Sequence, residues 1–168
     1  MIELVDYQFG EQARNRLAEA GDPGRAGTLA ALETFYYALN HADLEALAAV
    51  WSPHELAQLN NPLGGIVRGG AAVTELYRRV FASDLRLRVT FTDAATYWWP
   101  TGVVFAGREV GAYQGPHGEV PLRIRTSRIF GYDAGLSRWL QLHHHGSIDD
   151  PDALRAYQDA VASASASS

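Results

Sequence analysis

The sequence predicts an α+β protein, because helical patterns occupy its first half and a run of strand patterns its second. Apolar residues recur at helical spacing over 28–40, 43–51 and 71–81. Residues 85–92 alternate between apolar and polar, as in a strand with one buried face. Residues 103–147 contain three long strand patterns separated by turn clusters. A long helix packed on such a strongly bent sheet could enclose a cone-shaped pocket.

Changes of pattern along the chain divide it into three regions. Residues 1–24 are predicted to be an N-terminal extension with a short helix over 11–20, and residues 25–148 form the domain. Residues 149–168 are predicted to be a C-terminal helix that ends in an Ala/Ser tail. Within the domain, Asp43 is the predicted N-cap of the second helix.

The composition excludes several classes of function. The chain has 168 residues and a net charge of −5, with no run of basic residues that would suit nucleic acid or an anionic membrane. It contains neither lysine nor cysteine, which excludes Schiff-base, thiolate and disulfide chemistry. No signal peptide and no membrane-spanning stretch is recognised, so the cytoplasm is the expected location.

Three polar residues interrupt the apolar side of the last three strands. Side-chain alternation predicts that Arg108, Arg128 and His144 lie on that side. A buried charge without a partner is unfavourable, so this face either pairs its charges internally or lines a polar pocket. The arginines could be bound by acids such as Glu109 or Glu119, or they could hold a ligand carboxylate. The sequence leaves both alternatives open.

The consecutive residues His143, His144 and His145 resemble a metal-binding tract. Adjacent strand residues point to opposite faces, so these side chains cannot converge on one ion, and no metal is predicted. His144 is the candidate acid/base or ligand contact. His143 and His145 share parity with Trp139 and Gln141, a face predicted to be the outer one, where two subunits could pack.

Other candidate positions have a structural and a functional interpretation each. Trp98, next to Trp99, either caps a pocket or belongs to the core. Asn61 is either a loop residue or a polar pocket contact. The glycine pairs 64–65 and 69–70 belong to turns and lack the sequence of a phosphate loop, so no cofactor is predicted.

Three segments resemble the nuclear-transport-factor-2-like fold, also called cystatin-like or SnoaL-like: residues 35–44, residues 61–64 followed by 68–69, and residues 126–130 followed by 139–147. The last segment, a Trp followed by alternating histidines and a serine, resembles the branch related to the association domain of calcium/calmodulin-dependent kinases. The resemblance covers residues 28–147. It implies a cone-shaped barrel of strongly bent antiparallel sheet around a long N-terminal helix, and a homodimer.

The same resemblance implies roles for individual residues. The pocket arginines of the association domain fall on Arg108 and Arg128, whereas a further one falls on Gly146. In the related ketosteroid isomerases, the general base falls on Asn61 and the oxyanion tyrosine on Phe35, neither of which can perform those roles. Isomerase chemistry of that kind is therefore not expected.

These observations give one leading hypothesis and two alternatives. The leading hypothesis is a binding protein for a small anionic or oxygenated organic ligand. Five candidate ligand contacts are proposed: Arg108, Arg128, Asn61, Phe35 and Trp98. The first alternative is a lyase, isomerase or cyclase with His144 as acid/base and the two arginines on an oxyanion. The second is an oligomerisation domain without catalysis.

Overall fold

The computed structural model of the chain describes residues 1–83, 85–115 and 118–166. Its helices are α1 Arg25–His41, α2 Leu44–Val50, α3 Gly70–Ala82 and α4 Pro151–Ala166. Its strands are β1 Ile2–Val5, β2 Gln58–Asn60, β3 Ile66–Arg68, β4 Leu87–Trp99, β5 Gly102–Gly115, β6 Gly118–Asp133 and β7 Arg138–Ile148. The turn expected at 114–118 and the end of the Ala/Ser tail fall partly outside the described residues.

The strands form one sheet in the order β1-β4-β5-β6-β7-β2-β3. The β2–β7 pair is parallel and all other described neighbours are antiparallel. The predicted α+β class is confirmed. The sheet is curved but does not close into a complete barrel, because β1 and β3 remain as its edges.

Helix α1 is buried along most of its length and contacts β4 and β7. Its Tyr36 ring stacks on Phe91 of β4 with 5.3 Å between the ring centroids. The predicted N-cap of α2 is confirmed, since the Asp43 carboxylate accepts a hydrogen bond of 2.9 Å from the Ala46 backbone N–H. None of the described helices has the length and apolarity needed to cross a bilayer.

The helix predicted over residues 11–20 is wrong. Only a short 3₁₀ turn, Leu17–Gly21, forms in this segment. The carboxylate of Glu33 on α1 accepts a hydrogen bond from the backbone N–H of Arg14, and the side chain of Arg16 also binds Glu33. Contacts with α1 therefore fix this segment, and they override its helical pattern.

Strand β7 contains a β-bulge that its sequence alternation does not reveal. Phe130 pairs with Gln141 and Ile129 pairs with His143, so Leu142 is an extra residue without a partner on β6. As a result Gln141 and His144 are both buried although their parity differs, while Leu142 is exposed. The prediction that Gln141 lies on the outer face is wrong for this reason.

Candidate functional site

The guanidinium of Arg128 is completely buried in the middle of β6 and has three polar partners. Its Nη2 donates to Glu109 Oε1 at 2.5 Å, its Nε to the Tyr36 hydroxyl at 2.9 Å, and its Nη1 to Gln141 Oε1 at 3.0 Å. The Phe35 ring covers it, with 3.7 Å from Cζ to the ring centroid. Arg128 could pair with an acid of this chain or with a ligand carboxylate, and the structure shows it paired with Glu109.

A further hydrogen bond in this buried cluster connects Tyr36 with Glu109. The Tyr36 hydroxyl donates to Glu109 Oε1 at 2.8 Å while it accepts from Arg128. Burial raises the pKa of Tyr36 well above its usual value, so the hydroxyl keeps its proton. Burial alone would lower the pKa of Arg128, but Tyr36 and Glu109 outweigh it and the pKa is raised. The cluster therefore contains one positive and one negative charge.

Arg108 does not join this cluster, and its predicted position on the apolar side is wrong. Its side chain is about half exposed and forms ion pairs with Asp93 at 3.3 Å and Asp149 at 3.0 Å. The residue of β5 that faces inward is its neighbour Glu109, which is only 3% exposed. Apolar residues occur on both faces of β5, and Phe105 lies on the inner face. The positions of apolar residues alone therefore did not determine which face of β5 is buried.

A cavity of about 440 Å³ lies beside the Arg128 cluster. Its walls come from α1, α3, α4, the β2–β3 region and β4 to β7. Most of its lining is apolar: Leu39, Leu59, Pro62, Leu63, Leu76, Val80, Leu85, Leu87, Val89, Leu122, Ile124 and Val161. The polar lining residues are Asn61, Tyr77, Arg79, Ser83, Glu109, Arg128, His144 and Tyr157. The arrangement is typical of a binding site for a mostly apolar molecule with few polar groups.

His144 is the histidine of this cavity, and it is 3% exposed. Its Nε2 lies 3.0 Å from the Thr126 hydroxyl oxygen, whereas its Nδ1 has no hydrogen-bond partner among the residues that the structure describes. Burial, and then the positive charge of Arg128, lower the pKa of His144 well below its usual value. The ring is therefore neutral near pH 7.

The lowered pKa of His144 makes stability depend on pH. Below pH ~6.5 the unfolded chain binds a proton at this position that the folded protein does not, so stability falls as the pH decreases. We expect the free energy of unfolding to drop by up to about 2 kcal/mol more between pH 7 and pH 5 in the wild type than in His144→Phe. Urea unfolding of both proteins at the two pH values measures this difference. Equal pH dependence would mean that His144 binds its proton over the same pH range in the folded protein as in the unfolded chain.

Tyr77 on α3 contributes a second neutral polar group to the cavity. Burial raises its pKa to about 12, so it carries a hydroxyl proton at physiological pH. Its ring packs edge-on against Phe35, with 6.4 Å between centroids. Tyr77 was not among the ligand contacts predicted from the sequence.

The other predicted ligand contacts are distributed between the cavity and the core. Asn61 lines the cavity, and its side-chain oxygen accepts a 3.0 Å hydrogen bond from the Leu63 backbone N–H. Phe35 lies under Arg128 and is not among the lining residues. Trp98 lies outside the lining too, between the Phe105 ring and the guanidinium of Arg25. The contact of Asn61 with a ligand stays a prediction.

The predicted outer position of Trp139 is wrong, since the side chain is 2% exposed. Its Nε1 donates to the Asp22 backbone oxygen at 3.0 Å, and its ring packs on Tyr132. Contacts with the N-terminal segment and Tyr132 therefore cover Trp139, which was expected to lie at a subunit contact. His145 is exposed and bonds Asn60, and within the described ranges no group of three metal-binding side chains is found.

Comparisons with known proteins support the fold and show the family. A family model for the SnoaL-like domain matches residues 29–151. The fold is similar to the CaMKII hub from S. rosetta, with 17% identity, a TM-score of 0.60, and coverage of 72% of this chain and 93% of that one. It is also similar to a ketosteroid isomerase-like protein from Erwinia carotovora atroseptica, with 16% identity, a TM-score of 0.62, and coverage of 73% and 94%.

A third similar structure is a protein with a cystatin-like fold from Caulobacter vibrioides. It shares 18% identity and a TM-score of 0.56, over 82% of this chain and 94% of that one. Among curated proteins no significant match is found. The predicted nuclear-transport-factor-2-like α+β fold, with a curved but unclosed sheet, and the family resemblance are confirmed.

Proposed function

Because the chain belongs to the SnoaL-like family, we propose that it binds a small, mostly apolar organic molecule with an oxygen-bearing group. The observation that carries this proposal is the cavity of about 440 Å³ between the sheet, α3 and α4. Its volume is within the range of about 300–1,000 Å³ that is usual for small-molecule sites.

The distribution of polar groups supports an oxygenated ligand over an anionic one. The Arg128 guanidinium, which the sequence suggested for a carboxylate, already has the Glu109 carboxylate as its partner. The apolar walls favour a hydrocarbon body by the hydrophobic effect. Neutral His144 and Tyr77 remain as groups that can bind an oxygen.

The enzymatic alternative has less support from this geometry. It requires two arginines at an oxyanion, but Arg108 lies on the other side of the sheet and Arg128 is paired. A His144 with a strongly lowered pKa is also a weak base. Binding without chemistry is therefore the function that we propose.

A cavity-filling substitution tests this function. We expect N-phenylnaphthylamine, an uncharged fluorescent dye, to bind the wild type with increased emission and Val80→Trp to bind it at least ~10-fold more weakly. Val80 lines the cavity and is half-buried, so the indole can occupy the space that the dye needs. Fluorescence titration measures both affinities.

The matched control is Arg78→Trp on the same helix. Arg78 is exposed and is not a lining residue, so this indole should leave dye binding unchanged. Native mass spectrometry of protein purified without added ligand gives an independent measurement, because a natural ligand would appear as an adduct absent from Val80→Trp. Dye binding that is equal in all three proteins would contradict the proposal.

Association with a second copy also stays a prediction. The outer face of the sheet exposes Tyr97, Trp99 and Leu142, which are the aromatic and apolar groups that could take part. Trp139, which was expected to carry the contact, is buried.

A further inference from the structure

We infer that His144 presents a fixed Nδ1–H donor to the cavity and that the bound molecule is uncharged, with an acceptor oxygen placed at this nitrogen. The inference rests on the proposed function, because it names the chemical class of the ligand in the same cavity. It assigns the contact with the ligand oxygen to His144, in a part of the lining that has no net charge.

The tautomer of His144 follows from the hydrogen-bond pattern around Thr126. The Thr126 side chain is 3% exposed, and its described hydrogen bond is the one to His144 Nε2. If Nε2 carried the ring proton, the hydroxyl hydrogen of Thr126 would lack an acceptor among the described residues. If the hydroxyl donates to Nε2, both groups are satisfied by one bond. The proton of the neutral ring is therefore assigned to Nδ1.

The Nδ1–H group then needs a partner. It is buried, and no acceptor reaches it among the residues that the structure describes. A buried donor without an acceptor is unfavourable, so the free protein carries an unsatisfied group on a residue that lines the cavity. A carbonyl, ether or hydroxyl oxygen of a bound molecule would satisfy it.

The charges around the cavity oppose an anionic ligand. Glu109 and Arg128 both line the cavity, and they neutralise each other at 2.5 Å. The adjacent His144 is neutral, so this part of the lining offers no unpaired positive charge to a carboxylate. Transfer of an anion from water into such an environment is strongly unfavourable. The remaining cation of the lining, Arg79, is exposed.

Three probes of similar shape separate the effect of an acceptor oxygen on binding from the effect of a negative charge. Benzophenone supplies an uncharged acceptor oxygen, diphenylmethane lacks it, and diphenylacetate carries a carboxylate. We expect the wild type to bind benzophenone at least ~5-fold more tightly than diphenylmethane, as one additional hydrogen bond allows. Diphenylacetate should bind at least ~10-fold more weakly than benzophenone. Competition with N-phenylnaphthylamine measures the three affinities.

The variant His144→Phe tests the donor directly. It keeps an aromatic ring but has no N–H, so most of the preference for benzophenone over diphenylmethane should be lost. Arg79→Gln is the control for an effect of this exposed cation on binding of the carboxylate probe. In this variant the preference for benzophenone over diphenylmethane should persist. Equal binding of benzophenone and diphenylmethane to the wild type would overturn the inference but leave the proposed function intact. Binding of none of the three probes to a wild type that still binds the dye would also overturn the inference alone, whereas equal dye binding by the wild type and Val80→Trp would overturn both.

Thr126 is a positioning residue in this arrangement, because it acts through the His144 ring. Imidazole nitrogen NMR should show the proton of wild-type His144 on Nδ1. In Thr126→Val, which has the same shape without the hydroxyl, we expect a mixture of tautomers and a preference for benzophenone reduced at least ~2-fold. Thr126→Ser restores the hydroxyl and should restore both measurements. A wild-type spectrum with the proton on Nε2 would contradict the inference.

Discussion

Substitution of Arg128 by methionine is expected to lower the free energy of unfolding by about 3–5 kcal/mol. The substitution leaves the Glu109 carboxylate buried without its cation, and it removes the donors bound by Tyr36 and Gln141. The loss is large because unpaired buried charge is more unfavourable than an absent ion pair. Urea unfolding monitored by tryptophan fluorescence measures it.

Two further variants separate the cost of an unpaired buried carboxylate from the general cost of replacing an arginine. Arg108→Met removes an ion-paired arginine of the neighbouring strand that is half exposed, so we expect a loss below about 1 kcal/mol. Glu109→Gln combined with Arg128→Met removes the unpaired carboxylate and should recover part of the loss. If Arg128→Met were as stable as Arg108→Met, the Glu109 pair would not stabilise the fold.

The sequence was sufficient to predict the elements whose signals are local. The spacing of apolar residues in α1, the cap at Asp43 and the alternation in β4 depend on neighbouring residues, and the structure confirms them. The strand β1 was missed because its four residues are defined by pairing with β4, a contact across about ninety residues of chain. Such pairing has no local signal.

Only part of the candidate site was predicted, because some of its contacts also depend on strand pairing that has no local signal. Arg128 was assigned to the apolar side correctly, since β6 alternates regularly. His144 is also buried, although the bulge separates it from the residues of β7 whose alternation was used to predict its side. Arg108 was assigned wrongly because both faces of β5 carry apolar residues. The partner that decides the chemistry, Glu109, is adjacent to Arg108, and only the register of the sheet shows which of the two faces inward.

The second large effect is expected for Phe35→Ala, with a loss of about 3–5 kcal/mol in the free energy of unfolding. Phe35 is completely buried, and its ring contacts the Arg128 guanidinium and the rings of Tyr36 and Tyr77. Truncation would leave a void next to a buried charge. Phe81→Ala, on the half-buried side of α3, is the control and should cost clearly less.

Phe35→Leu separates the two interpretations of Phe35, as a core residue and as a ligand contact. Leucine keeps most of the packed volume, so the stability loss should stay below about 2 kcal/mol. Because Phe35 lies under Arg128 rather than on the lining, the folded variant should bind N-phenylnaphthylamine with wild-type affinity. Fluorescence titration below the unfolding transition measures this affinity. A loss of dye affinity above about 5-fold in a stable Phe35→Leu protein would instead place the ring in contact with the ligand, as the sequence suggested.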